Sequence, residues 1–428
     1  MKGLKLAIFG EIGVDWLVDR NGFIQSRWGG AGLYAAVAAA RQEAGVELLT
    51  LIGPELNRNI KSIWEFLGVS FNKAQYHEKY SFPRYMVTGF SNYQTKVTRP
   101  MSQLKFNHQY YPQISADVQG ILIFPIGHTI PIELCREAFE RGIPVFLDPK
   151  PNQESILDAR EALPYTTFLL VNEQEILLLA ETDNRSNAID KLKDAGPEYI
   201  VVKNGIRGCS IFKKGILVEE IPAFRSLVLC SLGSGDVFGG VLATTFLETQ
   251  DLKFSADLAS CVAANFIENF EVETVIPKKA ARIDVMQRER ISWLSSNLQV
   301  YLAGPFFSDQ ELFWVNQVCD ILESAGIRVL SPSRENGVIG QYENWEQRKT
   351  IFEQDLVLLE NADLVVAILD HDDPGTCFEM GYAYNKKIPI IGLKTSISPL
   401  NNMITFGCNK ICTSIEQLMS EVYSYGKK

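Results

Sequence analysis

Asp363-Leu-Val-Val-Ala-Ile-Leu369, then Asp370-His-Asp-Asp-Pro374, then Gly375-Thr-Cys-Phe-Glu-Met-Gly-Tyr-Ala383 is the stretch that decides the fold of the last third of this chain. The first piece is apolar without alternation, the pattern of a strand buried on both faces. An acidic turn closes it and small residues open a helix. Strand, charged turn and helix together make the unit of an open parallel sheet, whose ligands bind beyond the carboxyl ends of the strands. This reading puts Glu379 in the first turn of the helix, with Asp373 six residues before it. Such a pair can attack a sugar carbon and protonate a departing base. A helix N-terminus would also hold Glu379 ionised. The same letters fit a local alternative, a capping box in which Thr376 is the N-cap and Glu379 only satisfies its backbone. Spacing alone leaves both open.

Outward from that stretch, the whole chain is 428 residues long, more than one ordinary core accommodates, so two domains are expected. Hydrophobic residues at 46% and charged residues at 21% belong to a soluble globular protein. A net charge of −10 and a pI near 5.2 argue against a nucleic-acid surface. No apolar run approaches the ~20 residues of a membrane span, and the opening Met1-Lys-Gly-Leu-Lys-Leu-Ala-Ile-Phe-Gly10 reads as a buried strand rather than a signal peptide. A cytoplasmic protein follows, its eight cysteines reduced. Cys408 and Cys412 lack metal-site spacing, the four histidines are unpaired, and His371 reads as a solvated turn residue, so no direct metal site is expected.

Apolar runs at 6–9, 120–125, 144–147, 168–171 and 199–202 alternate with helical stretches such as 31–43 and 132–141, the rhythm of an α/β protein. Residues 71–111 are aromatic, polar and alternating, and read as an antiparallel lid or flap. The charged segment 280–296 reads as the last helix of a first domain spanning 1–295. A second α/β series fills 298–428: strands at 299–303, 327–330, 363–369 and 388–393, with helices around 312–322, at 349–361 and from Thr376.

Gly233-Ser-Gly-Asp236 lies between an apolar segment at 227–230 and a helix. Small residues there leave backbone N–H groups for a phosphate, and Asp236 can take a proton from a hydroxyl attacking it. Alone, Asp236 is equally an N-cap. Upstream lie Gly10-Glu-Ile-Gly-Val-Asp15, Gly29-Gly30-Ala-Gly32 before an alanine-rich helix, and Asn172-Glu-Gln-Glu175 after an apolar strand. In this order the set resembles the ribokinase (pfkB) family of sugar and nucleoside kinases over about residues 3–290. The resemblance implies a three-layer α/β/α domain with a β-lid, using ATP and Mg²⁺. It implies Asp236 as catalytic base and Gly233, Ser234 and Gly235 as the anion hole. Asp15 would hold sugar hydroxyls, Gly29 and Gly30 would form the lid hinge, Gly205 would line the nucleotide site, and Asn172 with Glu175 would place Mg²⁺ and phosphate. The chain departs from the family at Cys230 for aspartate, Lys203 near an expected threonine, Tyr34 near an expected asparagine, and Glu268-Asn-Phe-Glu271 for a glycine.

Tyr301-Leu-Ala-Gly-Pro305, Phe352-Glu-Gln-Asp355, Asn361-Ala-Asp-Leu364 and the run from Asp373 to Ala383 resemble, in order, the nucleoside 2-deoxyribosyltransferase family over about 298–420. A smaller flavodoxin-like parallel-sheet domain is implied. So are Glu379 attacking C1′ of the sugar, Asp373 and Asp355 binding and protonating the base, Tyr301 orienting the nucleophile beside Gly304, and Asn401 (or Asn402) reaching a neighbouring subunit's sugar in a homo-oligomer. Ser308 is the one candidate donor for a phosphate in an otherwise aromatic and acidic loop, which favours unphosphorylated nucleosides. The resulting expectation is a bifunctional nucleoside-metabolism enzyme that moves the sugar to another base or to water and phosphorylates a nucleoside or sugar. The alternative is a degenerate kinase-like domain that senses a ligand or drives dimerisation for a nucleotide- or NAD-type N-glycoside hydrolase.

Overall fold

The computed structural model describes residues 3–18, 24–88, 94–99, 113–151, 155–226, 231–268, 276–282, 286–290, 298–306, 308–324, 327–336, 344–371 and 373–425. Two compact units emerge. Met1–Leu17, Ile24–Val87 and Gln94–Arg290 belong to the first, Ile291–Lys428 to the second.

The first unit is built on a nine-stranded sheet. Its order from edge to edge is Ile216–Ile221, Cys209–Lys213, Tyr199–Lys203, Phe168–Asn172, Val145–Leu147, Gly120–Ile123, Lys5–Phe9, Gly45–Leu49 and Val69–Ser70. From Tyr199–Lys203 onward the strands are parallel, and the first two form an antiparallel edge. The parallel strands are apolar runs buried on both faces, as Gly120-Ile-Leu-Ile123 is throughout. From Lys5–Phe9 the chain first winds to Gly45–Leu49 on one side, and Gly120–Ile123 later pairs on the other. This reversal opens a crevice beyond Phe9 and Ile123, where the site lies. The alanine-rich helix Ala31–Arg41 packs against the helix Ser234–Thr249 at backbone distance: a Cβ on Gly240 would stand 2.5 Å from the Ala35 carbonyl oxygen.

A separate four-stranded sheet has the order Ile24–Gly29, Gly13–Val18, Arg84–Thr88, Gln94–Arg99. Half of it comes from 13–29, outside the 71–111 segment, while Gln75–Tyr76 pairs with Leu51–Ile52 instead. Residues 89–93 and 100–111 of that expected lid lie outside the described residues. Of the helix expected over 280–296, residues 283–285 and 291–296 lie outside the described residues, and the described remainder is not one helix. Lys279–Ala281 is one 3-10 turn, and Arg290 bridges to Phe224 while its guanidinium holds Asp257 at 2.6 Å. These charges tie a loop to the helix Leu252–Phe266 rather than line a helix face of their own.

The second unit has a five-stranded, all-parallel sheet in the order Arg328–Leu330, Gln299–Ala303, Leu364–Ile368, Ile390–Leu393, Lys410–Cys412. In chain order this is 2-1-3-4-5, the flavodoxin-like winding, with its switch point between Gln299–Ala303 and Leu364–Ile368. Tyr301, Val365, Ala367, Met380 and Ala383 share its core. Among the described residues no helix is long and apolar enough to cross a membrane.

Candidate active sites

In the second unit, the helix after Leu364–Ile368 runs Pro374–Lys386, two residues earlier than the sequence suggests. Proline suits the first helical position, and Asp373 is the N-cap. Asp373 Oδ2 accepts from the Thr376 amide at 2.6 Å and from the Thr376 hydroxyl at 2.7 Å. This removes the capping-box alternative, because Thr376 is a partner of the cap and not the cap itself. Glu379 falls in the second turn instead of the first, facing the switch point. There Tyr301, fully buried at the centre of its strand, donates its hydroxyl to Glu379 Oε1 at 2.7 Å.

Burial pushes the Glu379 carboxyl up to about 8, against the Tyr301 hydrogen bond, and the charges of Asp355 and Asp373 push it further. Desolvation thus opposes the helix end that was expected to keep Glu379 ionised. Asp355, in the helix Trp345–Glu360, accepts from Asn336 Nδ2 at 2.8 Å and is also raised by burial. Gly304 follows Tyr301's strand, and its hydrogen lies where a Cβ would come within 3.3 Å of Ile368 and Val315. Asn401 caps the helix Asn402–Gly407 through the Met403 amide at 2.8 Å. With Asp373 and His371 it lines a hollow of about 170 Å³. Asn402 and Ser308 are exposed. Ser308 pairs with Glu311 in reciprocal amide contacts of 3.3 and 2.9 Å, a cap rather than a free phosphate ligand.

In the first unit, Asp15 is buried on a strand of the four-stranded sheet and accepts the Tyr34 hydroxyl, with Arg27 Nε at 3.8 Å. Burial raises its carboxyl to about 6 against both partners. A side chain at Gly29 would strike that carboxylate and the Tyr34 hydroxyl. Gly30, with φ 91°, turns the chain from the strand Ile24–Gly29 into the helix Ala31–Arg41. The Tyr34 ring lies edge-on to Phe266 at 5.4 Å, and the Arg27 guanidinium stands 5.2 Å over it. A Cβ on Gly233 would sit 2.6 Å from the same ring. One tyrosine thus joins Asp15, the glycine pair and the Gly-Ser-Gly-Asp turn.

Gly233, with φ 87°, starts the helix Ser234–Thr249. The amides of Ser234 and Asp236 each close on turn carbonyls at 3.1 Å, with Gly235 between them. Asp236 is buried, and its Oδ1 accepts from Lys150 Nζ at 2.5 Å. Burial raises the Asp236 carboxyl while Lys150 opposes the rise. On the neighbouring strand ends, Lys203 Nζ holds Asp148 Oδ2 at 2.6 Å. Asn172 and Glu175 face each other in a capping box of two 2.8 Å bonds at the start of the helix Glu173–Ala180. Gly205, with φ 58°, opens the turn after Tyr199–Lys203.

Asp148, Lys150 and Glu11 were not legible as site residues. Asp148-Pro-Lys150 follows the apolar strand Val145–Leu147, and two charges at the carboxyl end of a buried strand are the signal available for them. Glu11, raised by burial, accepts the hydroxyl of Tyr85 from the strand Arg84–Thr88. Among the described residues no group of three or more His, Cys, Asp or Glu is arranged to hold a metal by itself. Asp148 Oδ1 is buried without a hydrogen-bond partner, however, and stands near Glu175. Two carboxylates fit a Mg²⁺ that takes its remaining ligands from nucleotide phosphates.

The comparisons agree with this two-part architecture. Residues 14–279 match the profile of the pfkB family carbohydrate kinases and residues 300–420 that of the nucleoside 2-deoxyribosyltransferases. An uncharacterized sugar kinase of Archaeoglobus fulgidus is 29% identical over 141 residues, 33% of this chain; the chain spans 53% of that relative's length. A putative 2'-deoxynucleoside 5'-phosphate N-hydrolase 1 of Thermofilum pendens is 33% identical over 97 residues, 22% of this chain and 67% of the relative. A Burkholderia thailandensis nucleoside kinase in complex with inosine superimposes with a TM-score of 0.58 at 19% identity, covering 66% of this chain and 97% of that one. Arabidopsis thaliana ribokinase complexed with ribose and ATP gives 0.55 at 19% identity, covering 66% and 99%. Those two likenesses establish the ribokinase-like fold of the first unit. The chain belongs to the pfkB family of carbohydrate kinases and carries a nucleoside 2-deoxyribosyltransferase domain behind its kinase domain.

Proposed function

We propose that the chain is a bifunctional enzyme of nucleoside metabolism. Its second unit cleaves the N-glycosidic bond of unphosphorylated (deoxy)nucleosides through a covalent Glu379 intermediate, and its first phosphorylates a noncovalently bound nucleoside or sugar with ATP. The observation that carries the reading is the Tyr301–Glu379 hydrogen bond of 2.7 Å at the switch point of a parallel sheet, with Asp355 and Asp373 close enough to raise the glutamate's pKa. Glu379, once ionised to water, forms its Oε–C1′ bond as the C1′–N bond breaks. The leaving base takes a proton from Asp355 or Asp373, and Asp355, raised by burial, suits that donation. Tyr301 holds one carboxylate oxygen so that the other attacks. A second base or a water then takes the sugar from Glu379. Asn401, exposed beside Asp373, fits a role in a neighbouring subunit's site within a cytoplasmic homo-oligomer.

In the first unit Asp236 accepts the proton of the attacking hydroxyl, Asp15 binds the acceptor, and Gly233–Gly235 face the phosphates. Asp148 and Glu175 would hold Mg²⁺, which when bound offsets charge on the phosphate oxygens. A second reading, a ligand-sensing or dimerisation module, draws support from Tyr34, whose hydroxyl occupies the carboxylate that would bind the acceptor.

The test is incubation with a panel of deoxynucleosides, with and without a free acceptor base, beside Glu379→Ala. New nucleosides only with acceptor mark a transferase, and free base regardless marks a hydrolase. Absence of any Glu379-dependent product removes the nucleoside assignment.

A further inference from the structure

We infer that Lys150, with Lys203 behind it, is a ligand for the transferred phosphate, which it reaches by leaving its ion pair with Asp236. The inference rests on the kinase reading above. Two ammonium groups converge on the N-terminus of the helix Ser234–Thr249: Lys150 Nζ is 2.5 Å from Asp236 Oδ1, and Lys203 Nζ is 3.4 Å from the position a Cβ would take on Gly235. A helix N-terminus is itself positive, and the two cations gathered there are held against it by the carboxylates of Asp236, Asp148 and Glu175. Lys203 is anchored by Asp148, whose second oxygen is buried without a partner.

As bare ion pairs these contacts contribute little stability, since desolvation offsets their attraction. A phosphate entering the crevice meets the two lysines and the helix end together. The two lysines differ in freedom. Lys150 keeps 38% of its side-chain exposure while the Asp236 carboxylate beneath it keeps 8%; Lys203 keeps 16%. Lys150 also holds a left-handed backbone (φ 39°), unusual for lysine and found where surroundings impose it. Its ammonium lies 5.5 Å over the Phe124 ring, a seat between the carboxylate and the open side.

With the nucleotide bound, Lys150 turns from Asp236 to the γ-phosphate oxygens and uncovers the base. The acceptor oxygen then forms its bond to phosphorus as the bond to the ADP oxygen breaks. The acceptor's proton goes to Asp236, and Lys150 stays fully protonated throughout.

Calorimetric titration of the full chain with Mg²⁺–ADP and with a non-hydrolysable Mg²⁺–ATP analogue, on wild type, Lys150→Met and Lys150→Arg, tests this. The wild type should prefer the triphosphate by about tenfold or more, the worth of one charge-assisted contact. Lys150→Met should abolish that preference, and Lys150→Arg should restore most of it. Circular dichroism confirms the fold of each variant. A preference that survives in Lys150→Met, or equal weakening of both nucleotides, overturns the inference while leaving the kinase reading in place. Failure of the wild type to bind either nucleotide overturns both.

Discussion

Tyr301 and Glu379 are 78 positions apart, yet the tyrosine hydroxyl donates to the carboxylate at 2.7 Å. The strand Gln299–Ala303 pairs with Leu364–Ile368, and the helix that follows the second strand carries Glu379 over the end of the first. This hydrogen bond is the main force opposing the burial that raises the glutamate. Tyr301→Phe removes it at almost constant volume. Turnover is expected to fall roughly 10–100-fold, the worth of a hydrogen bond to a charged group. The limb of the pH–rate profile that rises as Glu379 ionises should move above pH 8, which stopped-time product analysis from pH 5 to 10 will show.

Glu379 also links stability to pH. Its carboxyl lies near 8 in the folded chain against an ordinary 4.5. Between those values the folded state keeps a proton that the unfolded chain has released, so stability falls as pH rises through that window. Glu379→Gln removes the loss. The difference in unfolding temperature between the variant and the wild type should be small at pH 4.5, grow to about pH 8 and then level off.

Asp373 combines a cap with a charge, and two substitutions separate them. Asp373→Asn keeps an oxygen for the Thr376 amide and should leave stability within a few tenths of a kcal/mol while lowering turnover. Asp373→Ala loses the cap as well and should cost about 1 kcal/mol. Denaturant melts run beside the product assay check both. Equal loss of stability in the two variants would contradict the cap seen at 2.6 Å.

Tyr34→Phe leaves the buried Asp15 without its hydroxyl donor. An unsatisfied buried carboxylate costs about 1–3 kcal/mol. The cost should be larger at pH 8, above the Asp15 value of about 6, than at pH 5, where the group is mostly protonated. Chemical denaturation at the two pH values measures the difference.

Two glycines should respond oppositely to alanine. At Gly240 the new methyl meets the Ala35 backbone, and a loss of about 1–3 kcal/mol is expected. At Gly381, in the helix Pro374–Lys386, nothing lies within 4 Å. There the substitution should stabilise by about 0.5–1 kcal/mol, because alanine loses less conformational freedom in a helix. Thermal melts of the two variants decide it.

Most parallel strands of both units were legible because they are short apolar runs ended by turn residues. Gln299–Ala303 was read to the residue and the other strands that were read lay within two, whereas Gly45–Leu49, Val69–Ser70 and Lys410–Cys412 were not read at all. The lid was half legible. Arg84–Thr88 lies in an alternating aromatic segment, whereas Gly13–Val18 and Ile24–Gly29 sit among residues that read as site loops. Pairing between segments about 70 positions apart leaves no local periodicity to find. The helix start at Pro374 was displaced because Thr376 and Asp373 are both good caps, and only the hydrogen bonds at Asp373 choose between them.

By itself, then, the sequence determined the two α/β units, the order of their motifs and the family each motif set belongs to, because burial periodicity and turn chemistry are local properties. The tertiary structure decided the partners and the charge states. It set Tyr301 on Glu379, Tyr34 on Asp15, Lys150 on Asp236 and Lys203 on Asp148. It also left Glu379 near 8, where a helix end alone would have held it ionised. Those outcomes depend on which strand ends lie side by side and how far each carboxylate is removed from water, and no neighbourhood of a few residues along the chain contains that information.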